Sequence, residues 1–163
     1  MDQQQLESTV NFIEQIRTKE GVLQSTKEKV IEVLLDSFKS KYHNPWWNVI
    51  GVTPGALERL AKNNWVIDGS GLKRCHIIDR KDTRRGIANG TIKINSAEDL
   101  KAVIMERGRC VLGTSIDNAS KIDLDSVRFT EEGSELFSSG GFKAKFKAPE
   151  AEWCKKMYAN ISS

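Results

Sequence analysis

Residues 3 to 42 carry apolar side chains at steps of three and four, interrupted once, and this constrains the start of the chain more than any other feature constrains the rest. Leu6, Val10, Ile13 and Ile16 fall on one face of a helix, because 3.6 residues complete a turn. Gly21 breaks the pattern, since glycine gives up more backbone freedom in a helix than other residues. Ser25 or Thr26 then offers a capping hydroxyl, with Glu28 in the following turn. Val30, Leu34 and Phe38 form a second stripe, widened by Ile31, Val33 and Leu35. Two amphipathic helices with a short link predict a helical hairpin.

His43-Asn44-Pro45 ends this pattern, because proline lacks a backbone donor and biases the residue before it away from helix. The boundary is therefore placed at 44: a helical hairpin or arm over 1–44 and an α+β domain over 45–163, packed as one unit. Thr53-Pro54 opens a short helix reaching about Asn63, threonine capping and proline at the first helical position. Trp65-Val66-Ile67 and Leu72 to Ile78 flank Asp68-Gly69-Ser70-Gly71, which reads as a β-hairpin. Thr83 to Gly86 reads as a charged loop, and Ile87 to Ile92 as a second hairpin turning at Asn89-Gly90.

Ser96 caps a helix over about 97–107 that Gly108 closes. Arg109 to Ile116 and Lys121 to Thr130 read as strands around a turn at 117–120. Phe142 to Ala148 alternates cleanly, and Pro149 starts a last helix with Cys154, Met157, Tyr158 and Ile161 on one side. The predicted class is α+β: an N-terminal helical hairpin, then a small antiparallel sheet with interspersed helices and a C-terminal helix.

Composition narrows the function classes. No apolar run approaches the ~20 residues that span a bilayer, and the polar start Met1-Asp2-Gln3-Gln4-Gln5 is no secretory leader. A cytoplasmic protein with no membrane partner is expected. Cys75, Cys110 and Cys154 are odd in number, widely spaced and free of any close pair, which predicts buried thiols in a reducing compartment. Neither the glycine-rich phosphate loop nor the dinucleotide fingerprint is present.

The basic residues are unevenly spread. From Leu72 to Lys93 there are seven cations (Lys73, Arg74, Arg80, Lys81, Arg84, Arg85, Lys93) against Asp79 and Asp82, in a chain whose net charge is only +3. Trp46, Trp47 and Trp65 lie just upstream. Cations beside aromatic faces suit an anionic polymer, because phosphates release counterions and bases stack. The binding set expected is those seven cations with Trp46 and Trp47, and the expected partner is nucleic acid or an acidic protein surface. Lys143, Lys145 and Lys147 share one face of their strand, either following a phosphate backbone or guarding a sheet edge. The acidic stretch from Asp117 to Glu135 reads as a solvated face.

Leu72-Lys73-Arg74-Cys75-His76-Ile77-Ile78 resembles the first strand of the HNH endonucleases. The resemblance implies that His76 activates water for phosphodiester hydrolysis beside a divalent metal such as Mg, in a ββα site. Asn89, Asn95 and Asp99 are the residues open to the remaining positions. The sequence departs from the family pattern by lacking a downstream histidine.

The principal expectation is a small non-catalytic binding or regulatory protein without a cofactor. It would engage nucleic acid or nucleic-acid-handling machinery, by analogy with the short, motif-poor regulators of phages and mobile elements. The alternatives are an HNH-like nuclease centred on His76, and a protein–protein module using the helical hairpin and an exposed tryptophan. The hairpin could also support a homo-oligomer.

Overall fold

One glycine turn separates the first two helices as the periodicity predicts, but the second starts at Gln24, so Ser25 and Thr26 lie inside it rather than at its cap. In the computed structural model, residues 2–41, 49–67, 69–120, 122–137 and 146–161 are described. The chain order is α1 (Gln3–Thr18), α2 (Gln24–Lys41), β1 (Val49–Val52), α3 (Pro54–Lys62), β2 (Lys73–His76), α4 (Arg80–Ala88), α5 (Ala97–Gly108), β3 (Cys110–Gly113), α6 (Ser115–Ala119), β4 (Arg128–Phe129) and α7 (Ala148–Ala159). A 3-10 turn covers Leu124–Ser126. This is an α+β protein, and among the described residues no helix is long and apolar enough to cross a membrane.

The chain forms two units, 1–46 with 78–108 and 47–77 with 109–163. Residues 78–108 cluster with the N-terminal helices rather than with the sheet. The hairpin is therefore half of a four-helix unit.

In the first unit, Asp2 caps α1 through a bond from the Gln4 amide, and Gly21 turns the chain at φ +73°. Leu6, Val10 and Ile13 of α1 meet Ile31, Leu35 and Phe38 of α2 in a core completed by Ile87, Ala88, Ile94, Leu100 and Ile104. The 83–86 segment is helix, not loop: the Asp79 side chain accepts the Lys81 amide at 2.7 Å and caps α4. The predicted hairpin at Asn89-Gly90 is instead the end of this helix. Gly90 adopts φ +79°, and the Ile92 amide donates back to the Gly86 carbonyl at 2.9 Å. Gly86 lets Ile92 approach, since a β-carbon there would stand 2.7 Å from Ile92 Cδ1. Ser96 caps α5 as expected. Its hydroxyl accepts the Asp99 amide at 3.1 Å while Asp99 Oδ2 accepts the Ser96 amide at 3.1 Å, a reciprocal box.

In the second unit the strand order is β2-β3-β1-β4. The sheet is mixed rather than antiparallel: β1 and β3 run parallel, while β2 with β3 and β1 with β4 run antiparallel. The long excursion between β1 and β3 supplies the crossover that parallel pairing needs. One face carries Val49, Val52, Leu57, Leu60, Cys110, Leu112, Phe137 and Cys154. The other carries Cys75, Val111 and Val127.

Several local expectations fail here for identifiable reasons. Trp65-Val66-Ile67 is no strand. Asn64 and Trp65 both take left-handed backbone, φ +53° and +61°, and the Trp65 amide closes onto the Leu60 carbonyl at 2.7 Å. β2 pairs instead with β3, four residues in register from Lys73↔Gly113 to His76↔Cys110. The 114–119 segment is helix because Thr114 and Asp117 form a capping box. The strand expected over 121–130 shrinks to β4, since Asp123 caps a 3-10 turn through the Asp125 amide. Thr53-Pro54 starts α3 as expected, with Leu57 and Leu60 fully buried. Trp46, Trp47 and the alternating segment 142–145 lie outside the described residues.

Candidate functional site

Fold position divides the seven-cation cluster. Lys73 and Arg74 belong to β2 in the second unit, and Arg80, Lys81, Arg84, Arg85 and Lys93 belong to the first.

Within the first unit, α2 presents Glu28, Glu32 and Asp36 at steps of four, so the three carboxylates lie in one row. Arg80 and Arg84 of α4 share the same step and meet that row. Arg80 Nη2 donates to Asp36 Oδ1 at 2.8 Å and to Glu32 Oε1 at 3.1 Å. Arg84 lies 3.7 Å from Glu32 Oε2 and 4.0 Å from Glu28 Oε2, and Arg85 is 3.9 Å from Glu28 Oε1. Arg107 of α5 completes the set, donating to Glu32 Oε1 at 2.6 Å.

Arg107 is the most buried of these cations, its side chain 4% exposed. Burial lowers its pKa, while Glu32 and Asp36 hold the charge in place and Arg80 opposes it. The row and its arginines therefore lock α2, α4 and α5 together. Sequence reasoning missed Glu28, Glu32, Asp36 and Arg107 as partners. The matched four-residue spacing of acids on one helix and arginines on another was the signal that could have found them.

What remains outward is a smaller set. Lys81, Arg85 and Lys93 are exposed in the first unit, as is Lys73 in the second. Arg74 is half-buried, with its pKa lowered by burial and raised by Cys110.

His76 sits half-buried on β2, its Nδ1 3.4 Å from Cys110 Sγ on the paired strand. Asn89, Asn95 and Asp99 lie in the first unit. Asn89 Oδ1 accepts the Thr91 amide and hydroxyl, and Asp99 Oδ2 accepts the Asn95 amide at 2.9 Å. The Asn89 and Asp99 side chains thus serve a turn and a cap. Among the described residues no group of three His, Cys, Asp or Glu side chains gathers as a metal site.

The three cysteines are buried and free. Burial pushes Cys75 up to about 11, helped by Asp117 and opposed by Lys73. Burial, and then Glu150, pushes Cys154 up to about 12. Such thiols are protonated at neutral pH and poor nucleophiles.

The C-terminal ends of β1 and β3 lead to Thr53 and Thr114, the caps of α3 and α6. Asp117 Oδ2 accepts from Thr53 Oγ1 at 3.0 Å, Thr114 Oγ1 at 2.8 Å and the Thr114 amide at 2.6 Å. This carboxylate ties the two strand ends together.

Trp65 is half-buried after α3, with Tyr158 of α7 meeting it edge-on at 5.8 Å and 70°. Trp153 likewise meets Phe137 edge-on at 5.8 Å. No family model, curated protein or solved structure matches the chain.

Proposed function

We propose that this chain is a non-catalytic, cytoplasmic regulatory protein that binds nucleic acid through cations its own acids leave outward. The observation that carries the reading is the division of labour on α4. Arg80 and Arg84 turn toward the carboxylate row of α2, while Lys81 stays exposed, as does Lys93 beyond the helix, and Arg85 keeps half its side chain exposed although it lies 3.9 Å from Glu28. Together with Arg107, the paired arginines neutralise Glu28, Glu32 and Asp36, carboxylates that would otherwise repel phosphate. Exposed lysines and arginines contact phosphates without reading sequence.

The test is binding of labelled single- and double-stranded DNA and RNA across a salt series, with and without magnesium. Affinity should fall steeply with salt. The K81Q/R85Q/K93Q variant should bind more weakly with a shallower slope, by about one for each phosphate it no longer neutralises. An absence of binding near ~150 mM salt would overturn the reading and direct attention to an acidic protein partner. Magnesium-dependent cleavage that disappears on His76→Ala would replace it with the nuclease alternative.

A further inference from the structure

The second unit carries exposed cations in the same segment as an aromatic ring. Between residues 58 and 74 the chain carries Arg59, Lys62, Lys73 and Arg74 against Glu58 and Asp68. Arg59 and Lys62 project from the last turn of α3 and are exposed. Among the described residues neither forms an ion pair, Glu58 included. Arg59 Nη1 lies 3.4 Å from where a β-carbon of Gly71 would stand, so this cation covers the approach to β2, where Lys73 is exposed two residues on.

Trp65 lies within this same segment. Its left-handed backbone is one that bulky residues avoid, and local bonds hold it there. The Trp65 amide reaches the Leu60 carbonyl, the Val66 amide reaches the Asn63 carbonyl at 3.1 Å, and Asn63 Nδ2 reaches the Val66 carbonyl at 2.6 Å. The turn keeps the indole half-buried and leaves the adjoining Val66 51% exposed. Because Tyr158 contacts it edge-on, at most one indole face is taken by that ring. Trp65 packs against the buried cluster that includes Leu57, Leu60 and Cys154 while part of it stays exposed.

We infer that the surface around Trp65 is a platform for single-stranded nucleic acid, with a base stacked on the indole and flanking phosphates held by Arg59, Lys62 and Lys73. The inference rests on the nucleic-acid reading above and adds the strand state and the side chains that select it. Stacking on an aromatic ring is tolerant of sequence but needs an unpaired base, and the neighbouring cations match the phosphates on either side in charge.

The experiment compares wild type, W65F, W65L and R59Q/K62Q/K73Q for binding to an oligothymidylate, an oligouridylate, an abasic phosphodiester of equal length and a DNA duplex. Circular dichroism melts check that each variant is folded. W65L should bind both single strands about tenfold more weakly, within the range one stacked base supplies. It should bind the abasic chain and the duplex as wild type does, and W65F should recover most of the loss. The triple variant should weaken binding to single strands and abasic chain alike, with a shallower salt slope.

Unchanged single-strand binding by a folded W65L, or equal loss on the abasic chain, would overturn the platform while leaving the nucleic-acid reading standing. If W65L fails to fold, the triple variant decides, and unaltered single-strand affinity there overturns the platform. Wild type that binds none of the four probes would overturn both. Competition by polyglutamate as strong as by oligothymidylate would point to an acidic peptide and likewise overturn the platform.

Discussion

Glu32 on α2 and Arg107 on α5 are joined at 2.6 Å, with the arginine almost wholly enclosed. The carboxylate also accepts from Arg80 at 3.1 Å. Removing one partner of an enclosed pair leaves the other charge without compensation. Glu32→Gln should therefore destabilise the chain by about 3 kcal/mol in urea denaturation. Glu14→Gln, which breaks only the exposed pair with Arg17, should stay within about 0.5 kcal/mol of wild type.

Neighbours on α4 should separate stability from binding. Arg80→Gln removes bonds to Asp36 and Glu32 and should lower the melting temperature while leaving the salt slope of nucleic-acid binding unchanged. Lys81→Gln, at an exposed position, should do the reverse. Melting curves and salt titrations on the same two variants check this, and matching effects in both assays would count against the division of labour.

The thiols give a pH dependence of definite sign. In the unfolded chain a cysteine titrates near its ordinary value of 9, whereas Cys154 in the fold is held up to about 12 and Cys75 up to about 11. The fold thus favours the protonated thiol. This contribution is fully present below pH 9 and is lost as pH rises through 11 and 12. Stability should fall on the alkaline side, and the fall should be shallower in Cys154→Ala. A maleimide probe should label the native protein slowly at pH 7 and all three cysteines rapidly in denaturant.

Asp117 serves both strand-end caps, so its loss should exceed that of an ordinary cap. Asp117→Ala leaves the Thr114 amide and two hydroxyls without this acceptor, at a cost of about 2 kcal/mol. Asp117→Asn retains one oxygen and should recover part of the loss, as chemical denaturation would show.

Gly51 lies where β1 meets β4. A β-carbon there would stand 2.8 Å from Val127 Cγ1 and 2.9 Å from the Arg128 carbonyl oxygen. One of these atoms is backbone, so Gly51→Ala should cost about 2 kcal/mol through displacement of β4. At Gly133 nothing lies within 4 Å, and only the φ of +78° resists substitution. Gly133→Ala should therefore cost about 1 kcal/mol. Thermal melts of the pair compare crowding with backbone strain.

Elements marked by an apolar stripe or a cap residue were legible in the sequence. The break at Gly21, the start of α3 at Thr53-Pro54, the Ser96 cap and the inward placing of Cys154, Met157 and Tyr158 on α7 follow from local chemistry, whereas Ile161 lies past the helix and is exposed. α4 was not legible as a helix because only Ile87 and Ala88 of its buried residues are hydrophobic, both at its end, and ion pairs with a helix distant in sequence hold its other side. The Trp65 turn was obscured because a bulky aromatic normally signals a strand, and here it occupies backbone usually left to glycine or asparagine. In the sequence Trp65 stands out only as an aromatic upstream of the basic cluster. Its relation to Arg59, Lys62 and Lys73 depends on Gly71 passing beneath Arg59.

The strand order also carries a timetable. β3 lies between β2 and β1, yet it is made after both and after α4 and α5. On a growing chain β1 and β2 have no neighbouring strand until residues 110–113 emerge, so the sheet has no local hairpin from which to start. The four-helix unit, completed at Gly108, has all its residues before the sheet can close. Non-local closure of this kind is slow. Ribosome-stalled chains ending shortly before and shortly after β3 should thus differ sharply in protease resistance of the segment from 49 to 77, because one central strand converts two lone segments into a sheet.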